Sequence, residues 1–299
     1  MKKMKTTISI LLLFLSVIVL AACGQQTTKS SHKIQVVTST NFYAEPAAKI
    51  LGKYGQVTSL INSTSVDPHD YTATTADAKK TAAADVVIMN GAGYDSWLNK
   101  LVKSNQSSQA KVVNVAQDIR QLPNGENEHL WYDFNNMVKL TNRLTSIFSK
   151  QQPAQREAFK ANSAKYIAQL KDLQKQTTQL KSVFSGQSVM ITEPVFNYVL
   201  QALDMKIVNP DFAQDIEDGA DPKPTELQKM KSQLKHKKVA FLVVNRQVES
   251  SLVNGLIKTA KAADVPVVYV TETMPKNQTY ITWMKEELQQ LSKIAKANQ

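Results

Sequence analysis

The sequence predicts an α/β protein of two lobes, each a mainly parallel sheet flanked by helices, joined by one long rigid helix. Three observations predict it. Short β-branched runs alternate with helical patterns in the first half of the chain, as βαβ units do. The same alternation returns in the second half. Between them, residues 153–184 keep a helical apolar period with no Gly and no further Pro after Pro153.

The chain has 299 residues, and its first 22 read as a targeting segment. Lys2, Lys3 and Lys5 precede an apolar run from Ile8 to Ala22, broken only by Ser9 and Ser16. That run is short for a membrane span, which needs about 20 residues, and fits the apolar core of a secretory signal. It ends in Leu20-Ala21-Ala22-Cys23, a small-residue cleavage site set directly before the only cysteine of the chain. A single cysteine cannot close an internal disulfide, so an unpaired thiol in an exported protein needs another use. The expected use is lipidation: Cys23 is acylated and becomes the mature N-terminus. Gly24–Ser31 then serves as a polar tether with a reach of about 16 Å.

Cleavage before Cys23 removes three lysines and no acids, so the net charge falls from +11 to +8. The positive charge is spread along helices and arginine is scarce, which points to a solvated surface near anionic lipid rather than to nucleic acid. The expected organisation is a signal peptide over 1–22, a lipidated tether over 23–33, a first lobe over 34–150, a linking helix over 153–184 and a second lobe over 187–299.

In the first lobe, Ile34–Thr38, Val57–Ile61, Asp85–Asn90 and Lys111–Val115 read as strands, with helices over Tyr43–Lys53 and Ala76–Ala84. In the linking segment, Phe159, Tyr166, Leu173 and Leu180 recur every seven residues. Ser163, Leu170, Thr177 and Phe184 recur likewise, offset by four. Together they form one seam on one continuous helix, about 45 Å long at 1.5 Å per residue. Such a seam would also serve a dimeric coiled coil. The polar Ser163 and Thr177 and the shortness of the seam favour a helix lying along both lobes of a monomer. In the second lobe, Ser188–Thr192, Lys238–Asn245 and Pro266–Thr271 read as strands. Thr225–Lys235, Gln247–Ala263 and Thr279–Ala297 read as helices, the first entered through Pro222 and Pro224.

Four histidines exist. His32 lies in the tether. His236 lies in Lys235-His236-Lys237-Lys238, a cationic turn that would repel a metal ion. His69 and His129 follow predicted strands of the first lobe, where ligands of open α/β sheets bind. In the second lobe, Glu193 and Glu272 each stand at the carboxyl end of an apolar strand, where a buried charge needs a partner. Two imidazoles from one lobe and two carboxylates from the other would make a four-ligand site for a divalent metal. Glu193 alone would read equally well as an acid at a helix N-terminus. Enzyme signatures are missing: there is no His-Glu-x-x-His helix, phosphate loop or Gly-x-Ser-x-Gly elbow, and Gly91-Ala92-Gly93 lacks the third glycine of a dinucleotide fingerprint. A site filled by four protein groups leaves no open position for a reactive water. Imidazoles must be neutral to ligate, so affinity is expected to fall as pH drops through about 6.5.

At these residues the sequence resembles the zinc/manganese solute-binding lipoproteins of ABC importers, the cluster A-I metal-binding family. The motifs are Asp67-Pro68-His69-Asp70-Tyr71, Asn90-Gly91-Ala92-Gly93-Tyr94-Asp95-Ser96-Trp97-Leu98, Glu128-His129-Leu130-Trp131-Tyr132-Asp133, Thr192-Glu193-Pro194-Val195-Phe196-Asn197-Tyr198 and Val270-Thr271-Glu272-Thr273-Met274-Pro275. The resemblance covers nearly the whole mature chain. It implies one metal ion, Mn²⁺ or Zn²⁺, buried between the lobes as cargo for an ABC permease, on the extracytoplasmic face of a cell membrane. The family pattern departs at Glu128 and Phe134, where proline is usual, and at Thr72-Ala73, where Glu-Pro is common. An acid at the third position and the lack of a His-rich loop resemble the manganese type. Glu272 as the fourth acid is nearer the zinc type, and the balance leans to manganese. A surface adhesin, a zinc hydrolase and a carrier of a chelated metal are the competing readings. The last would need a wide, aromatic or Arg-lined cleft.

Overall fold

In the computed structural model, residues 32–105, 109–123, 125–248 and 250–297 are described. Cys23 and the tether up to Ser31 lie outside them. Among the described residues no helix is long and apolar enough to cross a membrane.

Two four-stranded parallel sheets form. In the first, β1 (Ile34–Thr40), β2 (Gly55–Ile61), β3 (Val86–Met89) and β4 (Lys111–Asn114) take the order β2-β1-β3-β4. In the second, β5 (Ser188–Ile191), β6 (Lys206–Ile207), β7 (Leu242–Asn245) and β8 (Val267–Val270) take the order β6-β5-β7-β8. The first helices are α1 (Asn41–Leu51), α2 (Thr75–Ala82), α3 (Ser96–Ser104) and α4 (Phe134–Gln151). The long helix is α5 (Arg156–Phe184). After it come α6 (Asn197–Ala202), α7 (Pro210–Glu217), α8 (Pro224–Lys235), α9 (Ser251–Ala262) and α10 (Tyr280–Ala297).

Period-two alternation places the central strands in two cores at once. Val36, Val86 and Ile88 face a continuous apolar cluster that also holds Val189, Ile191, Val243, Val268 and Val270 of the second sheet. The intervening Val37, Val87 and Met89 face a smaller cluster with Leu98 of α3. Met190, Leu242 and Val244 likewise turn to a separate cluster with Met230 of α8 and Leu256 of α9. Strands buried on both faces read as unbroken apolar runs, as parallel strands do.

The predicted seam is the buried face of the long helix: Phe159, Ser163, Tyr166, Leu170, Leu173, Thr177, Leu180 and Phe184 are all buried. Ser163 and Thr177 therefore stand in the intramolecular core. The buried Thr177 Oγ1 donates to Leu173 O within the helix, 2.9 Å. α5 packs against α1 and α4 of the first half and against α10 at the chain's end. The predicted helix start moves from Pro153 to Arg156, because residues 153–155 form a separate 3₁₀ turn that carries the proline at its first turn.

Five predicted strands run long by one to four residues, most at Lys238–Asn245, where β7 begins only at Leu242, while the predicted Ile34–Thr38 and Val57–Ile61 each fall two residues short of β1 and β2. The short edge strand β6 and helices α3, α6 and α7 were not assigned from sequence. β6 has two residues and pairs only with β5, too short to show a period.

Candidate metal centre

The loops that carry His69, His129, Glu193 and Glu272 follow strands of the two sheets. His69 lies in the loop after β2, where Asp67 Oδ1 accepts its backbone N–H at 2.8 Å. Trp97 Nε1 donates to Pro68 O at 3.2 Å, and the next helix is anchored by a reciprocal cap between Thr74 and Asp77. The His69 ring meets Tyr94 edge-on, 5.2 Å between centroids.

The turn after β3 demands glycine. Gly91 has φ +78°, and a Cβ there would stand 2.1 Å from Asn114 Oδ1. The buried Asp95 carboxylate closes this turn by accepting from Asn90 N (2.6 Å) and Gly91 N (2.9 Å). Asn90 Nδ2 then donates to Glu128 O at 2.9 Å, which places the backbone leading into His129.

His129 is 1% exposed. Its Nδ1 faces Asn127 Oδ1 at 3.1 Å, and Asn127 Nδ2 donates to Pro194 O at 2.8 Å. The amide is thereby oriented with its oxygen toward the ring, so Nδ1 carries the proton and Nε2 is left as the ligating atom. That Nε2 is buried and has no hydrogen-bond partner.

From the second sheet, Glu193 follows β5 and its Oε2 accepts from Asn245 Nδ2 at 2.6 Å. Glu272 follows β8. Its backbone N–H donates to Gln247 Oε1 at 2.8 Å, while Gln247 Nε2 donates to Thr64 O in the His69 loop at 2.9 Å. Gln247 thus ties the loops of two predicted ligands together. Tyr132 OH to Thr271 O (2.7 Å) and Tyr198 OH to Asn127 O (2.6 Å) cross between the halves in the same way.

His69, His129 and Glu272 converge, and two further acids join them. His69 Nε2 lies 3.4 Å from Glu128 Oε1, 3.8 Å from Glu217 Oε1 and 3.8 Å from Glu272 Oε1. His129 Nε2 lies 3.5 Å from Glu217 Oε1. Donors held tetrahedrally at about 2.1 Å from one ion stand about 3.4 Å apart, so these separations suit a shared cation. Ligand atoms of His69, Glu128 and Glu217 all fall within 4.8 Å of one another. Glu193 lines the same region beside Asp67, Glu217 and Glu272, but forms no ion pair with either imidazole. His69 and Glu217 divide the space: a cleft of about 660 Å³ holds Glu128 and His129 on one side, and one of about 190 Å³ holds Glu193 and Glu272 on the other.

Glu128, which stands where the family usually has proline, lies in the site. Asp133, four residues after His129, is engaged elsewhere: it pairs with Arg120 at 3.4 Å and caps Asn135 N at 2.9 Å. His236 is exposed and its Nδ1 lies 2.8 Å from Ser232 O at the end of α8. Sequence reasoning missed Glu217, because it searched the ends of strands and Glu217 ends a helix. A signal existed: Asp215-Ile216-Glu217-Asp218-Gly219 stacks acids at a helix C-terminus, where the dipole disfavours them.

The electrostatics follow from burial without counter-charge. Among the described residues no Lys or Arg forms an ion pair with Glu128, Glu193, Glu217 or Glu272. Burial, and then the neighbouring Glu193, Glu272 and Glu128, push Glu217 up to about 9. Burial, and then Asp67, push Glu272 up to about 8 against the opposing Tyr94 phenol. Burial takes Glu193 to about 7, partly offset by the Asn245 donor, and takes Glu128 to about 7 with Asp95 adding. His129 moves the other way, down to about 3, through burial and then His69. The pH expectation from sequence therefore changes at His129. This imidazole stays neutral well below 6.5, and the protons that compete with a metal sit on the glutamates.

Comparison with known proteins agrees with this architecture. Residues 36–294 match the family model described as zinc-uptake complex component A, periplasmic (ZnuA). The zinc-binding lipoprotein AdcA of Streptococcus pneumoniae is 25% identical over 95% of this chain, which spans only 60% of that relative's length. The manganese ABC transporter substrate-binding lipoprotein PsaA of Streptococcus mitis is 26% identical over 98% of both chains. Among solved structures, the metal-dependent lipoprotein YcdH of Bacillus subtilis superposes with a TM-score of 0.72, 25% identity, and coverage of 87% of this chain and 98% of that one.

Proposed function

This chain belongs to the zinc-uptake complex component A family, and from that membership we propose that it is an extracytoplasmic solute-binding lipoprotein that binds Mn²⁺ or Zn²⁺ and delivers it to an ABC permease. The observation that carries the reading is the convergence of two imidazoles on a buried group of carboxylates that, among the described residues, have no Lys or Arg paired with them. A buried charge without a partner is costly, and a divalent ion supplies the partner. The ligands from the sequence remain the core of the proposal: His69 and His129 from the first half, Glu193 and Glu272 from the second. The ion is cargo. The residues around it serve to hold and release it. A chelated or corrinoid-like metal would need an aromatic or Arg-lined cleft, whereas this cleft is lined by His69, His129 and acids.

The test is equilibrium titration of the demetallated protein with Mn²⁺ and with Zn²⁺. One ion should bind per chain, and a chelator should remove it. Failure to bind either ion, or turnover of an ester or amide that a chelator abolishes, would overturn the carrier reading.

The anchor is proposed from the lipobox alone, with the protein working as a monomer. Cys23 should be acylated and should begin the mature chain, holding it at the membrane surface through the polar tether. Cys23→Ser should release the protein or leave its precursor uncleaved. An unmodified mature form that starts at another residue, seen by intact mass, would refute it.

A further inference from the structure

We propose that Glu217 is a direct ligand of the bound ion, adding a carboxylate to the four-residue set, and that it biases the site toward Mn²⁺ over Zn²⁺. The proposal rests on the divalent-metal reading above and deepens it.

The position of Glu217 is costly without such a role. It is the last residue of α7, at the negative end of the helix dipole, and Asp218 follows it. Its side chain is only 10% exposed. Its Oε1 is buried with no hydrogen-bond partner, as are His129 Nε2 and Glu272 Oε1. Three unpartnered polar atoms, one at the end of α7 and two from separate loops, thus line one cleft region. The geometry is equally direct. Glu217 Oε1 lies within 4 Å of both imidazole Nε2 atoms, 3.8 Å from His69 and 3.5 Å from His129. Glu193 contacts neither, and one of its oxygens is already held by Asn245. Glu217 Oε1 faces the unprotonated Nε2 of His129 at 3.5 Å, so the two acceptors need a proton or a cation between them. A cation between them resolves the conflict.

The consequence for selectivity follows from donor count and type. Zn²⁺ in closed protein sites is almost always four-coordinate and tetrahedral. Carboxylate-rich sets suit Mn²⁺, which takes higher, octahedral-like coordination. Two imidazoles with Glu193 and Glu272 would satisfy Zn²⁺. An added oxygen from Glu217 brings the set beyond four and gives Mn²⁺ a donor that Zn²⁺ does not need.

Two substitutions test this in the mature protein: Glu217→Gln, which keeps size and loses charge, and Glu217→Asp, which keeps charge and draws the oxygen back by one methylene. Isothermal titration should give at least a tenfold loss of Mn²⁺ affinity in both, with Zn²⁺ affinity changed less than threefold. The electron paramagnetic resonance spectrum of bound Mn²⁺ should change in both variants. Thermal melting of the metal-free variants should match or exceed wild type, which separates loss of a ligand from loss of the fold. Wild-type Mn²⁺ affinity in both variants would show that Glu217 is not a ligand. An equal loss for both ions would remove the selectivity claim. Wild-type protein that binds neither ion would overturn the carrier reading itself, and this inference with it.

Discussion

Replacing His129 with alanine should abolish the metal-dependent stabilisation of this protein. Metal that binds the folded state and not the unfolded chain stabilises by about 4 kcal/mol when free ion stands a thousandfold above Kd. For a chain of this size that is a rise of about 10 °C in melting temperature. His129 contributes the buried Nε2 with no other partner, already in the ligating tautomer. Its loss removes a ligand and leaves Glu217 Oε1 facing a void, while Asn127 Oδ1 keeps the backbone N–H of residue 129. Since mutation of mere outer-shell partners costs about 10–100-fold in affinity, loss of a ligand should cost more than about 100-fold. Glu272→Gln should weaken binding comparably while preserving volume. His236→Ala is the control, because that ring sits exposed at the end of α8. Differential scanning calorimetry with and without added metal reads all three. A His129→Ala protein that kept the full shift would remove His129 from the site and break the proposed ligand set.

The metal-free protein should lose stability as pH rises from 5 to 9, and bound metal should reverse that loss. The sign follows from linkage. Glu217, Glu272, Glu193 and Glu128 have folded-state values raised to about 9, 8, 7 and 7. Unfolded glutamates titrate near 4.3. Below that value both states hold their protons and the metal-free fold keeps its full stability. As pH climbs toward the folded values, the unfolded chain has released protons that the folded state retains, so unfolding becomes more favourable. Each unit of separation is worth on the order of 1.4 kcal/mol per group. A buried ion replaces the protons. Binding at pH 7 should therefore release protons, and affinity should rise with pH across this window. Denaturant melts of the demetallated protein at pH 5 and pH 8.5, with calorimetry in buffers of different ionisation heat, measure both effects. Metal-free stability that stayed level or rose between those pH values would sink the account.

Glu287 belongs to the same electrostatic class without touching the site. It is held on α10 among Tyr132, Trp283 and the Thr271 backbone, and burial raises it to about 8. Glu287→Gln would separate its share of the pH slope from that of the metal centre.

Much was legible in the chain because it is local. The period-two runs define both sheets, since one β-branched residue in two must face each core. The heptad seam from Phe159 to Phe184 names every buried residue of the long helix. The placement of His69, His129, Glu193 and Glu272 after strands was readable because strand ends are where open parallel sheets present side chains. What was not legible is non-local. Whether the seam faces another chain or this chain's own core depends on α1, α4 and α10 arriving from distant sequence. Glu217 reached the site on a helix C-terminus that no strand pattern marks. Its raised affinity for protons comes from burial and then from Glu193, Glu272 and Glu128, which are near it only in the folded chain. The tautomer of His129 likewise rests on Asn127, whose own orientation is set by Pro194 from the other sheet. Sequence alone determined which residues alternate, cap and turn, because those preferences act over a few neighbouring residues. Only tertiary structure decided which acids share one buried volume, because desolvation and Coulomb repulsion depend on distance through space and not along the chain.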